Sequence, residues 1–355
     1  MTNRLRLPLS RLLLALLLGA FLAGCDSAGH SAESPSHHLP GGGFRNLPQS
    51  PPTGPWWRKL PFIVQFPFQR ADMSQLPADH RWSAPQVQAG LDRHAQGDSV
   101  TWIGHMTALV RMGGVTLLTD PWFSDHCSPL PPFGPRRVVP PALPVENLPR
   151  IDLLLISHSH YDHFDTATLR QLARRQNPLV IVPLGLGELV REQGLTQVVE
   201  LDWHQSSEFS GLRITALPVI HWSKRTLFKT NDTLWAGFSI VSATGKRLYF
   251  GGDAEYGPHY RQLGEQYGPF DLALLSIGAF LPREVMAGHH CEPADCLRLG
   301  LDLRARRMAA MHWGTVQLGF DRLMEAPTRF RAAATQQGVA AERIWIPHIG
   351  ETQPF

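Results

Sequence analysis

Residues 157–165 read SHSHYDHFD and directly follow the apolar run IDLLLI, so three histidines and two aspartates stand at the end of a predicted buried strand. In an extended chain, residues two positions apart project to the same side, so His158 and His160 can approach one ion together. Asp162 and His163 fall where a helix is predicted to begin, and they can reach a second position nearby. Imidazole nitrogens and carboxylate oxygens suit Zn²⁺ or a similar divalent metal. The segment therefore predicts a metal site.

Three further strand ends carry a residue of the same type. His221 follows the run ITALPVI, Asp253 follows LYFGG, and His312 follows MAAM. Each is a weak signal alone, because a single histidine after a strand is more often a hydrogen-bonded structural residue. Gly251 and Gly252, just before Asp253, are interpreted as positions where the backbone packs closely at the metal edge. They are not interpreted as a nucleotide-binding loop, because no G-x-G-x-x-G pattern follows a strand here. Together the strand ends predict seven ligands: His158, His160, Asp162, His163, His221, Asp253 and His312.

Downstream of about the first hundred residues, apolar strand-like runs alternate with helical segments. VTWIGHMTALVRM and GVTLLTD predict paired strands around Gly113-Gly114, and LWAGFSIV and KRLYFGGD predict a hairpin around Thr244-Gly245. Helices are predicted from Thr166 to Gln176, after an aspartate N-cap, and from Glu292 to Leu303. The final RIWIPHIGET is predicted as one strand. This order suits a β-sandwich flanked by helices, and the pattern alone leaves a doubly wound sheet equally open.

The composition is that of a globular protein, with 43% hydrophobic and 18% charged residues in 355. The formal net charge of +3 is too small to indicate a nucleic-acid partner. The sequence contains no zinc-finger or RNA-binding signature either, so we expect no nucleic-acid binding. The 17 histidines are the unusual feature of the composition, and they are in keeping with a metal protein.

The N terminus is predicted to be a targeting segment. Basic residues precede an apolar run from Leu12 to Ala23, which is too short to span a bilayer with ease but suits a secretory signal. The run ends in LAGC, which resembles the bacterial lipobox and implies a signal peptide over residues 1–24 with lipidation of Cys25. We therefore expect a lipid-anchored protein of the cell envelope that faces the periplasm, at the inner or outer membrane. An ordinary cleaved signal or an uncleaved anchor is the alternative.

The next part of the chain is predicted to lie outside the main domain. Residues 25–54 are rich in Ser, Pro, Gly and His, which predicts a flexible tether with solvated histidines at 37 and 38. Residues 55–98 begin with PWWRKLPFIVQFPF and are predicted to form an extended arm packed on the domain. An apolar lip that meets lipid or an acyl chain is the second interpretation of this arm. The hydrolase domain is then expected over residues 99–355.

The four cysteines include no C-x-x-C pair, so a structural zinc knuckle is not expected. Cys291 and Cys296 are close enough in sequence to pair. Nothing in the sequence requires that pairing, and buried free thiols are the favoured interpretation.

Longer stretches of the sequence resemble the N-acylphosphatidylethanolamine-hydrolysing phospholipase D family of the metallo-β-lactamase fold superfamily, both in their residues and in their order along the chain. The matching stretches include WIGHMT, LTDPWFSDHCSP, ISHSHYDHFD, HWSKRTLFKTNDTLWAGFSI, GGDAEY and MHWGT. The resemblance runs from about Val100 to the C terminus. It implies an αββα sandwich with the metal ions at one edge.

The resemblance also implies a role for each matching residue. His158, His160 and His221 would bind one zinc ion, Asp162, His163 and His312 a second, and Asp253 would bridge the two, although another divalent metal is possible. Asp120 would orient a ligand histidine. His290 matches a histidine on the substrate side, and its neighbour His289 leaves the alignment open by one residue. His105 matches the family wording, but no chemistry is assigned to it.

The implied activity is that of a zinc-dependent phosphodiesterase of phospholipase D type. A hydroxide bridging the two metals would attack phosphorus, releasing phosphatidic acid and an N-acylethanolamine from the phospholipid. The residues expected to act in catalysis are Asp162, Asp253, Asp120 and His290. His290 would position the substrate or protonate the leaving oxygen. Lys224 and Arg225 are either phosphate-binding residues or surface charges.

Two other functions stay open at this point. A lactonase or a phosphodiesterase for a soluble substrate could use the same fold and the same ligands. An apolar groove lined by the N-terminal aromatics would favour the lipid substrate, and a small polar pocket would favour the soluble one. A non-catalytic envelope lipoprotein is the third possibility, and the complete ligand set argues against it. The oligomeric state is not predicted.

Overall fold

Two mixed β-sheets make up the centre of the structure. The computed structural model describes residues 35–51, 55–66, 69–226 and 229–355. Within these residues each sheet has seven strands. The first contains β1 Ser99–Gly104, β2 Thr107–Met112, β3 Val115–Thr119, β4 Leu153–Leu155, β5 Leu179–Pro183, β6 Val198–Leu201 and β14 Thr352–Pro354, in the order β14-β1-β2-β3-β4-β5-β6. The second contains β7 Ser206–Phe209, β8 Leu212–Leu217, β9 Gly237–Ser242, β10 Arg247–Phe250, β11 Leu272–Ser276, β12 Arg307–Met311 and β13 Ile344–Trp345, in the order β13-β12-β11-β10-β9-β8-β7.

Helices cover both outer faces. They are α1 Leu60–Gln65, α2 Ala84–Arg93, α3 Thr166–Arg175, α4 Gly187–Arg191, α5 His259–Tyr267, α6 Arg283–Met286, α7 Pro293–Asp302 and α8 Glu325–Gln336. α4 packs on β5 and β6 of the first sheet, and α7 packs on β11 of the second and on α8. Side chains of both sheets, such as Leu154 and Leu274, share one core. The αββα sandwich implied by the sequence resemblance is confirmed.

The direction of the strands decides where the site lies. β3 to β6 run parallel to one another, and so do β10 to β13. Parallel strands buried on both faces are apolar throughout, as in the fully buried LLL of β4 and LALLS of β11. Their carboxyl ends meet at the same edge, so polar residues that follow them are brought together there.

Most local predictions are confirmed. α3 begins where predicted, because the Asp165 carboxylate accepts hydrogen bonds from the amides of Ala167 and Thr168. α7 carries Pro293 at its start, and β9 and β10 form the hairpin around Thr244-Gly245. The final segment is different from the prediction, since it forms two strands in different sheets. Gly350, at a φ of 97°, turns the chain between β13 and β14.

The predicted tether is wrong for its second half. Residues His37–Phe355 form one compact unit, and Phe44 belongs to the hydrophobic core. His37 is buried, His38 is half-buried, and the imidazoles of both contact the carboxylate of Asp202, so both are held against the domain. The signal peptide, Cys25 and the tether up to residue 34 lie outside the described residues.

The predicted arm is helical where an extended chain was expected. A 3₁₀ turn, Trp56–Lys59, leads into α1, whose first turn contains proline, a residue that suits this position. α2 starts at a capping box formed by Ser83 and Gln86. None of the helices in the described part of the chain is both long and apolar enough to cross a bilayer.

The preference for free thiols is wrong for one pair of cysteines. Cys291 and Cys296 form a disulfide, with an S–S distance of 2.06 Å. Cys127 is free and buried. The disulfide joins the residue after His290 to α7, so it holds the end of that loop against the second sheet.

Candidate metal centre

The seven predicted ligands converge at the carboxyl edge of the sandwich. The segment 157–165 follows β4, Asp253 lies two glycines beyond β10, His312 directly follows β12, and His221 comes shortly after β8. Their side chains form two neighbouring groups of three, with Asp253 between them. A Cβ at Gly252 would lie 2.5 Å from the Cβ of Ser157, so this position has no room for a side chain.

The first group consists of His158, His160 and His221. His160 Nδ1 lies 2.8 Å from His158 Nε2 and 3.3 Å from His221 Nε2. All three imidazoles are packed edge to face, with ring centroids 4.5 to 5.1 Å apart. Three nitrogens facing one point in this way can bind one ion.

The second group consists of Asp162, His163 and His312. Asp162 Oδ2 lies 3.3 Å from His163 Nε2 and 3.6 Å from His312 Nε2. Asp253 joins the groups. Its Oδ2 lies 3.1 Å from His163 Nε2 and 3.8 Å from His221 Nε2, and its Oδ1 lies 3.2 Å from His312 Nε2. One carboxylate therefore faces members of both groups, as a bridging ligand would.

These residues fit divalent metal ions. Ligand atoms around a tetrahedral ion with bonds of about 2.0–2.1 Å stand about 3.3 Å apart, which is close to the imidazole–carboxylate distances across the centre. Among the described residues, His163 Nε2 and His312 Nε2, which face Asp253, are buried without a hydrogen-bond partner. So many imidazoles and carboxylates are costly to bury together unless a cation or ion pairing compensates.

Burial and the mutual charges set the protonation of the centre. Burial, followed by the charges of neighbouring imidazoles, lowers the pKa of His160 to about 3 and lowers the pKa of His158 and of His221 well below the usual value. These three imidazoles are therefore neutral, which is the form that binds metal. Burial opposes ionisation of Asp253, but the charges of His312 and His163 hold the pKa of that carboxyl well below its usual range.

In the second group, the pKa values of the two imidazoles are raised and not lowered. Burial opposes protonation of His312, but Asp253 and Asp162 raise its pKa to about 9. The same carboxylates raise the pKa of His163 well above its usual value, again against the effect of burial. A divalent cation would take the place of these protons between the imidazoles and the carboxylates.

Hydrogen bonds behind the ligands fix the orientation of the imidazoles. His163 Nδ1 donates to Asp120 Oδ2 at 2.7 Å, and His221 Nδ1 donates to the carbonyl of His289 at 2.8 Å. In both rings Nε2 is left to face the centre. Asp120 is in turn held by the amide and hydroxyl of Ser157. The structure thus places Asp120 where the resemblance implied, in contact with a candidate ligand and not at the centre itself.

His105 contacts the centre directly, which sequence reasoning missed. Its Nε2 lies 2.8 Å from Asp162 Oδ2, and its ring centroid lies 4.0 Å from that of His312. The imidazole is buried, and burial with the charge of His312 lowers its pKa to about 3. The WIGHMT match pointed to this residue, but 57 positions separate it from Asp162, so no spacing revealed the contact.

Three residues at or beside the centre have a left-handed backbone conformation. His105, Asp120 and His312 have φ values of 56°, 33° and 64°. Each such left-handed residue costs about 1–3 kcal/mol, and strain of this kind persists where surrounding contacts and function require it.

The two adjacent histidines after α6 take different places. His290 Nε2 lies 3.9 Å from Asp253 Oδ2, and its ring lies 5.2 Å from that of His221. The His289 ring instead packs against Trp222, at 5.4 Å, while its carbonyl binds His221. His290 is therefore the one whose side chain faces the metal centre, and its catalytic role stays a prediction.

The two predicted phosphate-binding cations also differ. Arg225 Nη1 donates to the carbonyls of Ser159 and Phe164, and its guanidinium lies 3.9 Å from the ring of Tyr161. Arg225 thus holds the loop of residues 157–165, which we call the metal-binding loop. Lys224 is half-buried and lines the adjoining groove.

A large groove opens onto the centre. Its volume is about 2410 Å³, including space open to solvent. His160, Asp162, Asp253 and His290 lie at its polar end. Its apolar lining includes Phe62, Ile63, Phe66, Leu130, Met286 and Leu318.

Comparisons with known proteins identify the family of the chain. Residues 116–313 match the family model described as "Beta-lactamase superfamily domain". The chain is 37% identical over 298 residues to an uncharacterised protein of Mycobacterium tuberculosis, covering 82% of this chain and 77% of the relative. It is 38% identical over 241 residues to N-acyl-phosphatidylethanolamine-hydrolyzing phospholipase D 1 of Caenorhabditis elegans, covering 64% of this chain and 67% of that protein. The solved structure of Igni18, a metallo hydrolase of Ignicoccus hospitalis, superposes with a TM-score of 0.56 at 23% identity, over 73% of this chain and 98% of its own, and shows the fold alone.

Proposed function

Because this chain belongs to the metallo-β-lactamase superfamily and is a metal-dependent hydrolase homologous to the N-acyl-phosphatidylethanolamine-hydrolysing phospholipases D, we propose that it is a phospholipase D. The proposed reaction is hydrolysis of N-acyl phosphatidylethanolamine, or of a related phospholipid, to phosphatidic acid and an N-acylethanolamine. The proposed cofactors are two Zn²⁺ ions, bound by the two groups of three ligands and shared through Asp253.

The observation that carries this proposal is the apolar groove beside the metal centre. Acyl chains gain about 0.8 kcal/mol for each CH₂ removed from water, so a long apolar wall next to a phosphate-binding centre suits a phospholipid. Phe62, Ile63 and Phe66, which form one wall, come from the N-terminal segment that the sequence suggested as an apolar lip. The opening that reaches His160, Asp162 and Asp253 is this large groove, and most of its lining is apolar.

The charges along the groove support an N-acylated head group. Lys59 and Lys224 line it, and among the described lining residues the carboxylates are Asp162 and Asp253, both candidate metal ligands. An anionic phosphodiester is attracted to such a lining, whereas the free ammonium of phosphatidylethanolamine would find no carboxylate to pair with. N-acylation removes that positive charge from the head group.

Metal ions bound here would supply Lewis acidity toward the phosphate and would lower the pKa of water. The chain's own residues do the rest. Asp120 and His105 hold His163 and Asp162 in place through hydrogen bonds of 2.7 and 2.8 Å. His290 stands over the centre on the groove side, where it can hold a phosphoryl or leaving-group oxygen.

The proposed setting is the cell envelope, facing the periplasm at the inner or outer membrane, with a lipid anchor at Cys25. Exposed apolar side chains stand beside the groove, among them Ile63, Val64, Leu130 and Phe133, which would suit contact with lipid. The Cys291–Cys296 disulfide suits an oxidising compartment outside the cytoplasm.

A lipid panel tests the proposal. The zinc-loaded full chain, in mixed micelles, is given N-acyl phosphatidylethanolamine, phosphatidylethanolamine and phosphatidylcholine, and phosphatidic acid is measured. We expect release from the N-acylated lipid, lost with EDTA. Turnover of bis-p-nitrophenyl phosphate without any lipid turnover would instead favour a soluble substrate, and no turnover by a metal-loaded protein would favour a binding role.

A further inference from the structure

The segment 37–46, which we call the strap, reaches the metal centre through its last residue. The Asn46 side chain brackets the backbone of His221: its Nδ2 donates to the His221 carbonyl at 2.7 Å, and its Oδ1 accepts from the His221 amide at 3.1 Å. The same Oδ1 accepts from the indole of Trp235 at 3.0 Å. One amide side chain thus satisfies both backbone polar groups of a fully buried candidate ligand.

The position of the His221 backbone matters, because this residue lies in a loop and not in a strand. Its imidazole is fixed at Nδ1 by the carbonyl of His289, so Nε2 points correctly only while the backbone stays in place. His158 and His160 come from the loop after β4, in the other sheet. Asn46 therefore helps to hold His221, which follows a strand of the second sheet, in position beside His158 and His160, which follow a strand of the first.

The strap is anchored at both of its ends. At the start, His37 Nε2 lies 2.7 Å from Asp202 Oδ1 and His38 Nε2 lies 2.8 Å from Asp202 Oδ2. The His37 ring also stacks on Trp203, with centroids 4.2 Å apart. Near the other end, the Phe44 amide donates to the carbonyl of Asn231 at 2.8 Å, and the Phe44 side chain joins the core.

We propose that Asn46 is a positioning residue for His221, and that the strap, anchored by His37 and His38 on Asp202, sets how tightly the site of His158, His160 and His221 binds its metal ion. The inference rests on the proposed pair of metal ions and not on the lipid. It assigns an effect to one ion only, because the hydrogen bonds of the Asn46 side chain go to His221 and Trp235, and those of the His37 and His38 imidazoles go to Asp202.

The test counts metal ions on the zinc-loaded full chain by native mass spectrometry during a titration with EDTA. The variants are Asn46→Ala, and Asn46→Asp, which keeps the side-chain size but sets a carboxylate oxygen against the His221 carbonyl. We expect one of the two ions to leave each variant at an EDTA concentration about tenfold or more below that needed for the wild type, while the second ion leaves as in the wild type. The double variant His37→Gln/His38→Gln is expected to show a smaller shift of the same ion.

Asn177→Ala is the matched control. Asn177 also joins two elements, through Thr196, but it lies before β5, at the edge opposite the metal centre. We expect it to lower thermal stability without changing the release of either ion. The activity readout is a fall in kcat that excess zinc restores in Asn46→Ala, with KM changed less than twofold.

Parallel loss of both ions, release identical to the wild type in both Asn46 variants, or a wild type that takes up a single ion would overturn the inference. Asn46→Asp keeps the test valid if Asn46→Ala fails to fold. The lipid panel and the ion count separate the two proposals: a wild type with two ions and no lipid turnover refutes the phospholipase alone.

Discussion

The metal-binding loop, residues 157–165, and the strap, residues 37–46, are both rich in histidine, and they contribute to the metal centre in different ways. The loop supplies ligands. The strap supplies a bracket around a ligand's backbone, while its own histidines bind Asp202 away from the centre. Histidine content alone therefore does not identify metal ligands, since the groups that the imidazoles face decide their role.

The distances between imidazoles and carboxylates separate the two roles. His37, His38 and Asp202 are near enough to one another to be considered for a cation. Their contacts of 2.7 and 2.8 Å are direct hydrogen-bond lengths, the same as the supporting contacts from His163 to Asp120 and from His105 to Asp162. Across the metal centre the imidazole–carboxylate distances are 3.1 to 3.8 Å, which leaves space for an ion. We therefore assign the strap cluster as an anchor.

The largest effect is expected from removing a ligand. Asp253→Ala takes away the carboxylate that faces both groups, and we expect hydrolysis of N-acyl phosphatidylethanolamine to fall by at least about 10³-fold. Circular dichroism should show a folded protein, because the core does not depend on this residue. Unchanged turnover in a folded variant would show that this centre is not where catalysis occurs.

A smaller effect is expected from changing a residue that contacts a ligand but does not itself face the metal ions. Asp120→Asn keeps the side-chain size but weakens the hydrogen bond from His163 Nδ1, so metal affinity should fall by about 10–100-fold. Competition with a chromogenic chelator measures it. If the loss fell on the ion of His158, His160 and His221 and spared the other, the assignment of Asp120 to His163 would be wrong.

The strap anchor gives a pH-dependent prediction. Burial opposes ionisation of Asp202, but hydrogen bonds from His37, from the Trp203 amide and from His38 lower the pKa of its carboxyl below the usual value of 3.8. A lowered folded-state pKa means that the ionised carboxylate stabilises the fold above pH 3.8, and that this stabilisation is lost as the pH falls through the folded pKa.

Asp202→Asn should therefore lower Tm at pH 7, and the gap to the wild type should close below about pH 4. Thermal unfolding followed by circular dichroism across this pH range measures it. A gap that stayed constant down to pH 3 would show that the ionisation of Asp202 does not contribute to anchoring the strap.

The smallest effect is expected at a surface that belongs to neither segment. Phe133→Ser changes an exposed ring beside the groove, and we expect vesicle binding to weaken a fewfold, in line with the small area of one side chain. Turnover of bis-p-nitrophenyl phosphate should be unchanged. If turnover of bis-p-nitrophenyl phosphate fell as much as vesicle binding, this loop would belong to the catalytic apparatus and not to a lipid surface.

Much of the fold was predictable because its signals are local. The apolar runs of β4, β11 and β12, the Asp165 N-cap and the Thr244-Gly245 turn each specify their own element within a few residues. The candidate ligands could be selected because they follow such runs. β13 and β14 were merged in the prediction, since nothing local shows that a turn at Gly350 sends the chain into the other sheet.

The supporting contacts were not predictable in the same way. Asn46 and His221 are 175 positions apart, and His37 and Asp202 are 165 apart. A segment of Ser, Pro, Gly and His carries the composition of a tether whether or not a docking surface exists for it. The pairing of Cys291 with Cys296 could not be decided from the sequence for a similar reason. A spacing of five permits a disulfide, but only the path of the loop into α7 brings the two sulfurs together.

The sequence by itself determined most strands and helices of the main domain, the kind of chemistry and the residues able to bind metal, because periodicity, capping and side-chain type are properties of short segments. Only the tertiary structure decided which imidazole nitrogen faces the centre, that Asn46 of the strap holds the backbone of His221, and that an apolar groove adjoins the centre. Those features depend on surfaces from distant parts of the chain meeting one another. Whether two such surfaces fit is a property of the folded whole and of no single segment.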